Sequence, residues 1–483
     1  MAMKTGAEYI ESVKALTPKV FVAGKRVENM LENATTLSVI RATAKIYELA
    51  EDPKYKEIMV TTSHLTGEPI NRNLNVAMSN YELDMRAEMA LLTSQTLGTC
   101  NYRCVGCDTL NALASSTWEM DQEMGTNYNQ RLNTYLKWAQ ENDLACSGAI
   151  TDPKGDRFKR PSEQEDPDMH LRVVEKREDG IIVRGAKVSQ SGAIGAHETI
   201  VLPGGALKPG EEQFAVAFAL PNGTPGITYI CQYTPYTAER EAAESIEELG
   251  NPEFGQRETS TIIFDDVFIP WERVFLCGET KYCGRLVARF AKTHRMNCGG
   301  ACKVGYCDLI IGACKLASEF TGLQKVAHIQ EKLIDMVRIS ETSHACAIAA
   351  AARGQEEPVG SGIYMPDDLF GNVAKLNIAH GFWEIMKMAG DIAGGGVVTM
   401  PSERDLNNPE IGPYIKKYFK SAAPAEQRLR IIKFIQNWVA GLHGAGTWHG
   451  AGSPQAQRVA IQFLTDWDAK KDLARKLAHL KDQ

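Results

Sequence analysis

No stretch of the chain approaches the roughly 18–20 uninterrupted apolar residues that span a bilayer. Residues Met1 to Lys14 alternate polar and apolar side chains and hold no apolar run of a secretory signal, so the cytoplasm is the expected compartment and no membrane partner is expected. Positive charge is not in excess either: 53 Lys and Arg face 60 Asp and Glu, a net charge of −7. That balance argues against a nucleic-acid partner, because no field gathers phosphates. Internal repeats and low-complexity tracts are absent. No G-x-G-x-x-G follows a strand near the N-terminus, so a Rossmann cofactor site is not indicated.

Cysteine, by contrast, is plentiful. Twelve cysteines in a chain expected to stay in a reducing compartment do not read as a disulfide framework. Cys231, Cys277, Cys283, Cys314 and Cys346 read as buried small hydrophobes, the commonest fate of a free thiol. The remainder cluster and need another account.

The 483 residues, 44% hydrophobic and 23% charged, allow two or three structural units around a substantial core. Three zones differ in texture. Residues 1–143 read as helical, with Leu37–Glu51 and Asn129–Glu141 carrying apolar residues at three- and four-residue spacing. Residues 144–284 read as strands. Gly180–Lys187, Thr199–Leu202, Phe214–Leu220, Ile227–Tyr233 and Thr261–Ile269 are short β-branched and aromatic runs bounded by Gly and Pro. Without helices between them they predict a small antiparallel barrel or sandwich. Residues 285–483 return to helices, with Gln427–Leu442 and Asp466–Lys481 amphipathic. The expected class is α+β, a central antiparallel β domain between two helical ones.

Cys100, Cys104 and Cys107 stand in TLGTCNYRCVGCDTL. In a helix, Cys100 and Cys104 would lie one turn apart on one face, with Cys107 close by, an arrangement of soft thiolates suited to an iron–sulfur centre. The alternatives are a cysteine-rich buried helix face and a radical-SAM motif, which shares the C-x3-C-x2-C spacing. The latter belongs in a loop of a β/α barrel, whereas Met85–Gln95 reads as helix here and no alternating βα pattern follows. About 190 residues later, ARFAKTHRMNCGGACKVGYCD offers His294, Cys298, Cys302 and Cys307. Imidazole is a weaker and more labile ligand than thiolate, which suits a cluster that opens one iron to substrate. A lone histidine would more ordinarily be a satisfied core or surface group.

The C-x3-C followed by Val105-Gly106, and RFAxxHR leading into GGxCKVG (Arg289 to Gly305), resemble the 4-hydroxybutyryl-CoA dehydratase family. Further matching stretches are Thr151–Arg157 (TDPKGDR), Lys176–Lys187, Phe264–Cys277, Asp391–Gly395, Thr399–Glu403 and HGAGSPQAQR (His449–Arg458). They span most of the chain in order. The resemblance implies an acyl-CoA dehydrogenase-like fold with a helical N-terminal domain, a central β domain and a C-terminal helical bundle, assembled as a homotetramer. It implies a 4Fe–4S cluster on Cys100, Cys104, His294 and Cys302, which leaves Cys107 as an extra cysteine. It implies FAD held by Thr151, Asp152, Pro153, Lys154, Gly155, Asp156 and Arg157, by Gln190, Ser191 and Gly192, and by Asp391, Ile392, Ala393, Gly394 and Gly395. On the residues alone, TDPKGDR reads as a solvated turn.

The reaction so implied removes water from a 4-hydroxyacyl-CoA, with isomerisation of vinylacetyl-CoA, although the proton lost from C3 is not acidic. A radical mechanism answers this, the flavin taking one electron and the cluster acting as Lewis acid. His294 would be both ligand and base. Glu258 would be a second acid/base group, its alternative being an exposed strand carboxylate. The chain departs from the family pattern in three places. Seven residues, not six, separate His294 from Cys302, with Ala301 the apparent addition, so Cys298 is an alternative ligand. Cys298 itself stands where the family has a tyrosine, and Gly446 where it has a glutamate. A clusterless flavin monooxygenase and a catalytically dead paralogue are the competing functions.

Overall fold

Helices form where the sequence supplies caps and helical apolar spacing. The computed structural model describes residues 3–242, 250–255 and 257–480. Its N-terminal part holds α1 (Gly6–Lys14), α2 (Ala34–Glu51), α3 (Lys56–Met59), α4 (Asn80–Leu97), α5 (Cys104–Met124) and α6 (Tyr128–Glu141). The side chains of Asn33 and Ser79 accept from first-turn N–H groups and start α2 and α4. Gly98, at φ 58°, stops α4 in the left-handed region and sends the chain into the cysteine-bearing turn.

The strands make two facing sheets. In chain order they are β1 (Val20–Val22), β2 (Lys25–Arg26), the separate hairpin β3 (Val60–Thr62) and β4 (Pro69–Asn71), then β5 (Cys146–Ala149), β6 (Arg172–Lys176), β7 (Gly180–Ser191), β8 (Glu198–Val201), β9 (Val216–Pro221), β10 (Ile227–Cys231), β11 (Thr259–Pro270) and β12 (Val274–Cys277). One sheet runs β2-β1-β10-β11-β7-β6, the other β12-β9-β8-β5. Phe218 of β9 and Phe264 of β11 meet edge to face at 6.1 Å, so the inner faces pack as a sandwich.

Two features correct the expectation of an antiparallel unit built from residues 144–284. β1 and β2 come from the N-terminal zone and complete the larger sheet, and both β1·β10 and β5·β8 are parallel pairs. The reason is tertiary: an edge strand takes its partner from whatever exposes unpaired N–H and C=O groups, here β10, some 200 residues away.

Helix α7 (Pro235–Ala242) follows β10, and after β12 the described chain is helical apart from one short hairpin, Gln355–Glu356 against Tyr364–Met365. A continuous rod runs through α8 (Thr280–His294), a π-helical stretch (Arg295–Cys302) and α9 (Lys303–Phe320). Then come α10 (Ala327–Ala352), α11 (Asp368–Ala393), α12 (Gly396–Thr399), α13 (Glu403–Asn407), α14 (Gly412–Tyr418), α15 (Ala425–Ala440), α16 (His443–His449), α17 (Pro454–Leu464) and α18 (Trp467–Leu477). The expected amphipathic segment 466–481 is thus α18, with Lys481 outside the described residues. Met336, Phe382, Ile385 and Trp438 bury the contact among α10, α11 and α15. No described helix is long and apolar enough to cross a membrane.

Candidate active site

Because α5 begins at Cys104, Cys100 lies in the turn before it. This corrects the expectation that the two cysteines share one helix face. The turn is closed by Asn101, whose side-chain oxygen accepts from the Arg103 N–H at 3.0 Å, and it still brings the thiols of Cys100 and Cys104 into hydrogen-bond contact. Cys107 faces elsewhere: its sulfur is 3.8 Å from the carbonyl oxygen of Arg72, and burial pushes its thiol up to about 11.

The second stretch arrives on the rod. In its π-helical part each N–H reaches five residues back instead of four, so eight residues advance about as far around the axis as seven do in an α-helix. That absorbs the residue by which His294–Cys302 exceeds the family spacing. Gly300 makes the wide turn possible, since a Cβ there would lie 2.5 Å from that of Ala347 on α10. Cys298 is in hydrogen-bond contact with both Cys302 and His294. Cys307, one turn into α9, is fully buried beside Ser340 of α10.

The two stretches meet. Cys100 and Cys104 lie close enough to Cys298 to interact electrostatically, and Cys302 to Cys100. Within each pair one thiol donates to the other. Cys100 and Cys298 are thereby held below the ordinary thiol value, and Cys104 and Cys302 are pushed up. Two cations, the buried Lys303 and the half-buried Arg257, face the sulfurs. Burial works against their charge, but the cysteine sulfurs around them outweigh it and hold both above their ordinary values. Lys375 adds a third cation, its Nζ 2.9 Å from the Thr447 carbonyl and its pKa pushed down to about 8 by burial.

Soft thiols, one imidazole and buried cations are a donor set that fits an anionic iron–sulfur cluster. Among the described residues, no three His, Cys, Asp or Glu converge on a single-ion geometry. A 4Fe–4S cluster does not need that, because its protein ligands are spread over separate irons.

Glu258 lies beside this group, just before β11, and is only 3% exposed. Its backbone N–H donates to the Tyr102 hydroxyl at 3.2 Å. Neither carboxyl oxygen meets a hydrogen-bond partner in good geometry among the described residues, and the neighbouring Cys231 thiol is a weak donor. Burial pushes its pKa up to about 8, so it is buried and protonated at neutral pH, not an exposed strand carboxylate.

The stretches assigned to FAD divide. Gln190, Ser191 and Gly192 end β7 next to the cysteine turn: Ser191 Oγ accepts from Arg257 Nε at 3.2 Å, and a Cβ on Gly192, at φ 74°, would lie 2.4 Å from the Tyr102 Cβ. Thr151 joins that turn through its carbonyl, which accepts from the Val188 N–H at 2.8 Å and from Gln190 Nε2 at 3.3 Å. Asp152 is held 2.6 Å from the buried Lys187 ammonium. Pro153 is half-buried, and Lys154, Gly155, Asp156 and Arg157 are exposed. Asp391, Ile392, Ala393, Gly394 and Gly395 lie apart at the end of α11. Asp391 pairs with Lys332 at 2.6 Å, and the glycines have open space around them. Sequence reasoning missed Asp108, Asn297, Arg257, Lys303 and Lys375. The signal for Asp108 was available: it stands four residues after Cys104, on the same face of a helix.

Comparison with known proteins gives a consistent picture. Models of the 4-hydroxyphenylacetate 3-hydroxylase N-terminal and C-terminal regions match residues 5–276 and 283–479. The chain is 43% identical to 4-hydroxybutyryl-CoA dehydratase/vinylacetyl-CoA-Δ-isomerase of Clostridium aminobutyricum, over 99% of this chain and 100% of that one. It is 29% identical to the oxygenase component of 4-hydroxyphenylacetate 3-monooxygenase from Thermus thermophilus, over 92% and 89%. Among solved structures, an oxygen-tolerant archaeal 4-hydroxybutyryl-CoA dehydratase from N. maritimus superposes with a TM-score of 0.96 at 38% identity, covering 100% of this chain and 96% of that one. The HpaB oxygenase component complexed with FAD shares the fold, with a TM-score of 0.86 at 24% identity and 98% coverage of each. The chain belongs to the 4-hydroxybutyryl-CoA dehydratase/vinylacetyl-CoA-Δ-isomerase family of enzymes, within the wider 4-hydroxyphenylacetate 3-hydroxylase family.

Proposed function

We propose that this enzyme dehydrates 4-hydroxybutyryl-CoA, or a related 4-hydroxyacyl-CoA, to crotonyl-CoA and isomerises vinylacetyl-CoA, using FAD and a 4Fe–4S cluster. The observation that carries the reading is the meeting of the Cys100–Cys104 turn with the His294–Cys302 segment in one buried, cation-lined volume beside Glu258. Cys100, Cys104, His294 and Cys302 would hold the cluster, with Cys298 the alternative to Cys302. Thr151–Arg157 and Gln190–Gly192 would hold the flavin, and Asp391–Gly395 belongs to the same assignment. Once bound, the flavin would supply one-electron redox chemistry and the cluster Lewis acidity at a hydroxyl oxygen.

The chain's own groups do the rest. Glu258, protonated near neutrality and with only the weak Cys231 thiol donor beside its carboxyl among the described residues, is poised to give or take one proton at its carboxyl oxygen. His294 offers Nε2 as ligand or base, because its Nδ1 is engaged by Asp108 at 2.8 Å. Lys303 and Arg257 balance thiolate charge. A homotetramer on an acyl-CoA dehydrogenase-like scaffold completes the proposal.

The test is iron and acid-labile sulfide analysis of anaerobically purified protein, with turnover of 4-hydroxybutyryl-CoA and vinylacetyl-CoA. About four irons per subunit and crotonyl-CoA formation support the reading. A second reading, a clusterless flavin monooxygenase, draws on the oxygenase relatives. Protein that binds FAD but no iron, and makes no crotonyl-CoA, would favour it.

A further inference from the structure

Asp108 is a fully buried carboxylate on α5, four residues after Cys104 and so on the same face. Both its oxygens are engaged by residues of the distant rod. Oδ2 lies 2.8 Å from Nδ1 of His294, and Oδ1 accepts from the side-chain amide of Asn297 at 2.8 Å. A carboxylate oxygen is an acceptor, so Nδ1 of His294 carries the hydrogen of this contact, and Nε2 is the nitrogen left for another partner. Phe290, one turn earlier on α8, stacks on the ring with centroids 5.1 Å apart and planes 21° from parallel. That contact holds the plane of the ring while Asp108 fixes its rotation.

We propose that Asp108 is a positioning residue: it engages the Nδ1–H of His294 and so turns Nε2 toward the thiols. With Nδ1 occupied by Asp108, the contact between His294 and Cys298 falls to Nε2. The same carboxylate sets the flip of Asn297, since only the NH2 end of that amide can face it. The Asn297 oxygen is left buried and without a hydrogen-bond partner among the described residues. A carboxylate behind a ligating imidazole fixes the ring's orientation and strengthens its donor nitrogen. This last consequence rests on the cluster reading; the orientation of the ring does not, because the Asp108 contact needs no metal.

The experiment therefore has two arms. In metal-free protein grown with ring-15N histidine, the ring signal lost in His294→Ala reports the proton on Nδ1. A protonated Nδ1 whose hydrogen-bonded proton lies far downfield, and moves upfield in Asp108→Asn, is the expected result. A bare Nδ1 in the unsubstituted protein, or a proton signal unmoved in Asp108→Asn, overturns the proposal. If Asp108→Asn does not fold, the unsubstituted spectrum decides alone. In iron-loaded protein, Asp108→Asn should release iron to a chelator about 10–100-fold faster and change the imidazole nitrogen coupling in the pulsed EPR spectrum. Unchanged release and coupling would restrict Asp108 to packing. Wild-type protein that takes up no iron would sink the cluster reading and leave the nitrogen arm standing.

Discussion

Replacing Glu258 by glutamine tests the environment of the most perturbed carboxyl group of the site. Burial moves its titration from 4.5 to about 8. The folded state therefore binds more protons than the unfolded state between those values, and stability must fall as pH rises through the window. The slope is about 1.4 kcal/mol per pH unit, on the order of 4–5 kcal/mol in all. Below about pH 4.5 the group is protonated in both states and contributes no pH dependence; above about 8 the loss is complete. Glutamine keeps the shape and cannot ionise, so Glu258→Gln should lose this slope and become the more stable protein, relative to wild type, as pH climbs from 5 to 8. For a chain of 483 residues, ~1 kcal/mol corresponds to ~1 °C in Tm, so the Tm difference should drift by roughly 3–5 °C across the window. The assay is thermal unfolding of both proteins at matched ionic strength, with infrared detection of the carboxylic-acid carbonyl stretch. A band present in wild type, absent in the variant and titrating near pH 8 is expected. A band already gone at pH 6, or a Tm difference that does not change with pH, would refute the reasoning. Loss of dehydration and isomerisation in the same variant is the matching functional outcome.

The thiols separate cleanly by where they face. Cys104→Ala should abolish iron–sulfur absorbance while FAD stays bound, whereas Cys107→Ala, whose sulfur faces the Arg72 carbonyl, should retain full iron content; metal analysis and visible spectra of both variants check the pair. His294→Ala should abolish both activities, and turnover by that variant would remove His294 from its role. Deleting Ala301 should turn the π-helical stretch into α-helix while Cys302 keeps its face, so iron content should survive; loss of iron with the fold intact by circular dichroism would count against the spacing argument. Phe218→Ala, whose ring packs on Phe264 between the two sheets, should cost about 3–5 kcal/mol of stability without changing the iron content of the folded fraction, as denaturant titration and metal analysis would show.

Much of this was legible in the residues. The runs at Gly180–Lys187 and Thr261–Ile269 fall inside β7 and β11, and the spacing in Leu37–Glu51 falls inside α2. These elements carry their own period. β5 does not: Cys-Ser-Gly-Ala has no β-branched residue, and it becomes a strand because β8 offers a ladder. For the same reason no local pattern could tell that β1 would pair with β10. At the site, the soft-ligand residues announced themselves by clustering, and the family resemblance named a ligand set. The groups that surround them did not. Asp108 reads as one polar residue among many in α5, and Lys303 and Arg257 as ordinary surface charges, until tertiary packing gathers all three around sulfur. Burial at one point in space is a property of the assembled chain, and no window of sequence contains it.

The wide turn between Arg295 and Cys302 also bears on how this protein tolerates change. An extra residue in an α-helix would rotate everything beyond it by about 100°, so α9 would present the wrong side to α10 and α11. Here the surplus is taken up within a single loosened coil, and the helices that follow keep their azimuth. Length variation can thus enter at the centre of the chemistry while the distal bundle is left in register, a latitude that a rigidly wound rod would deny.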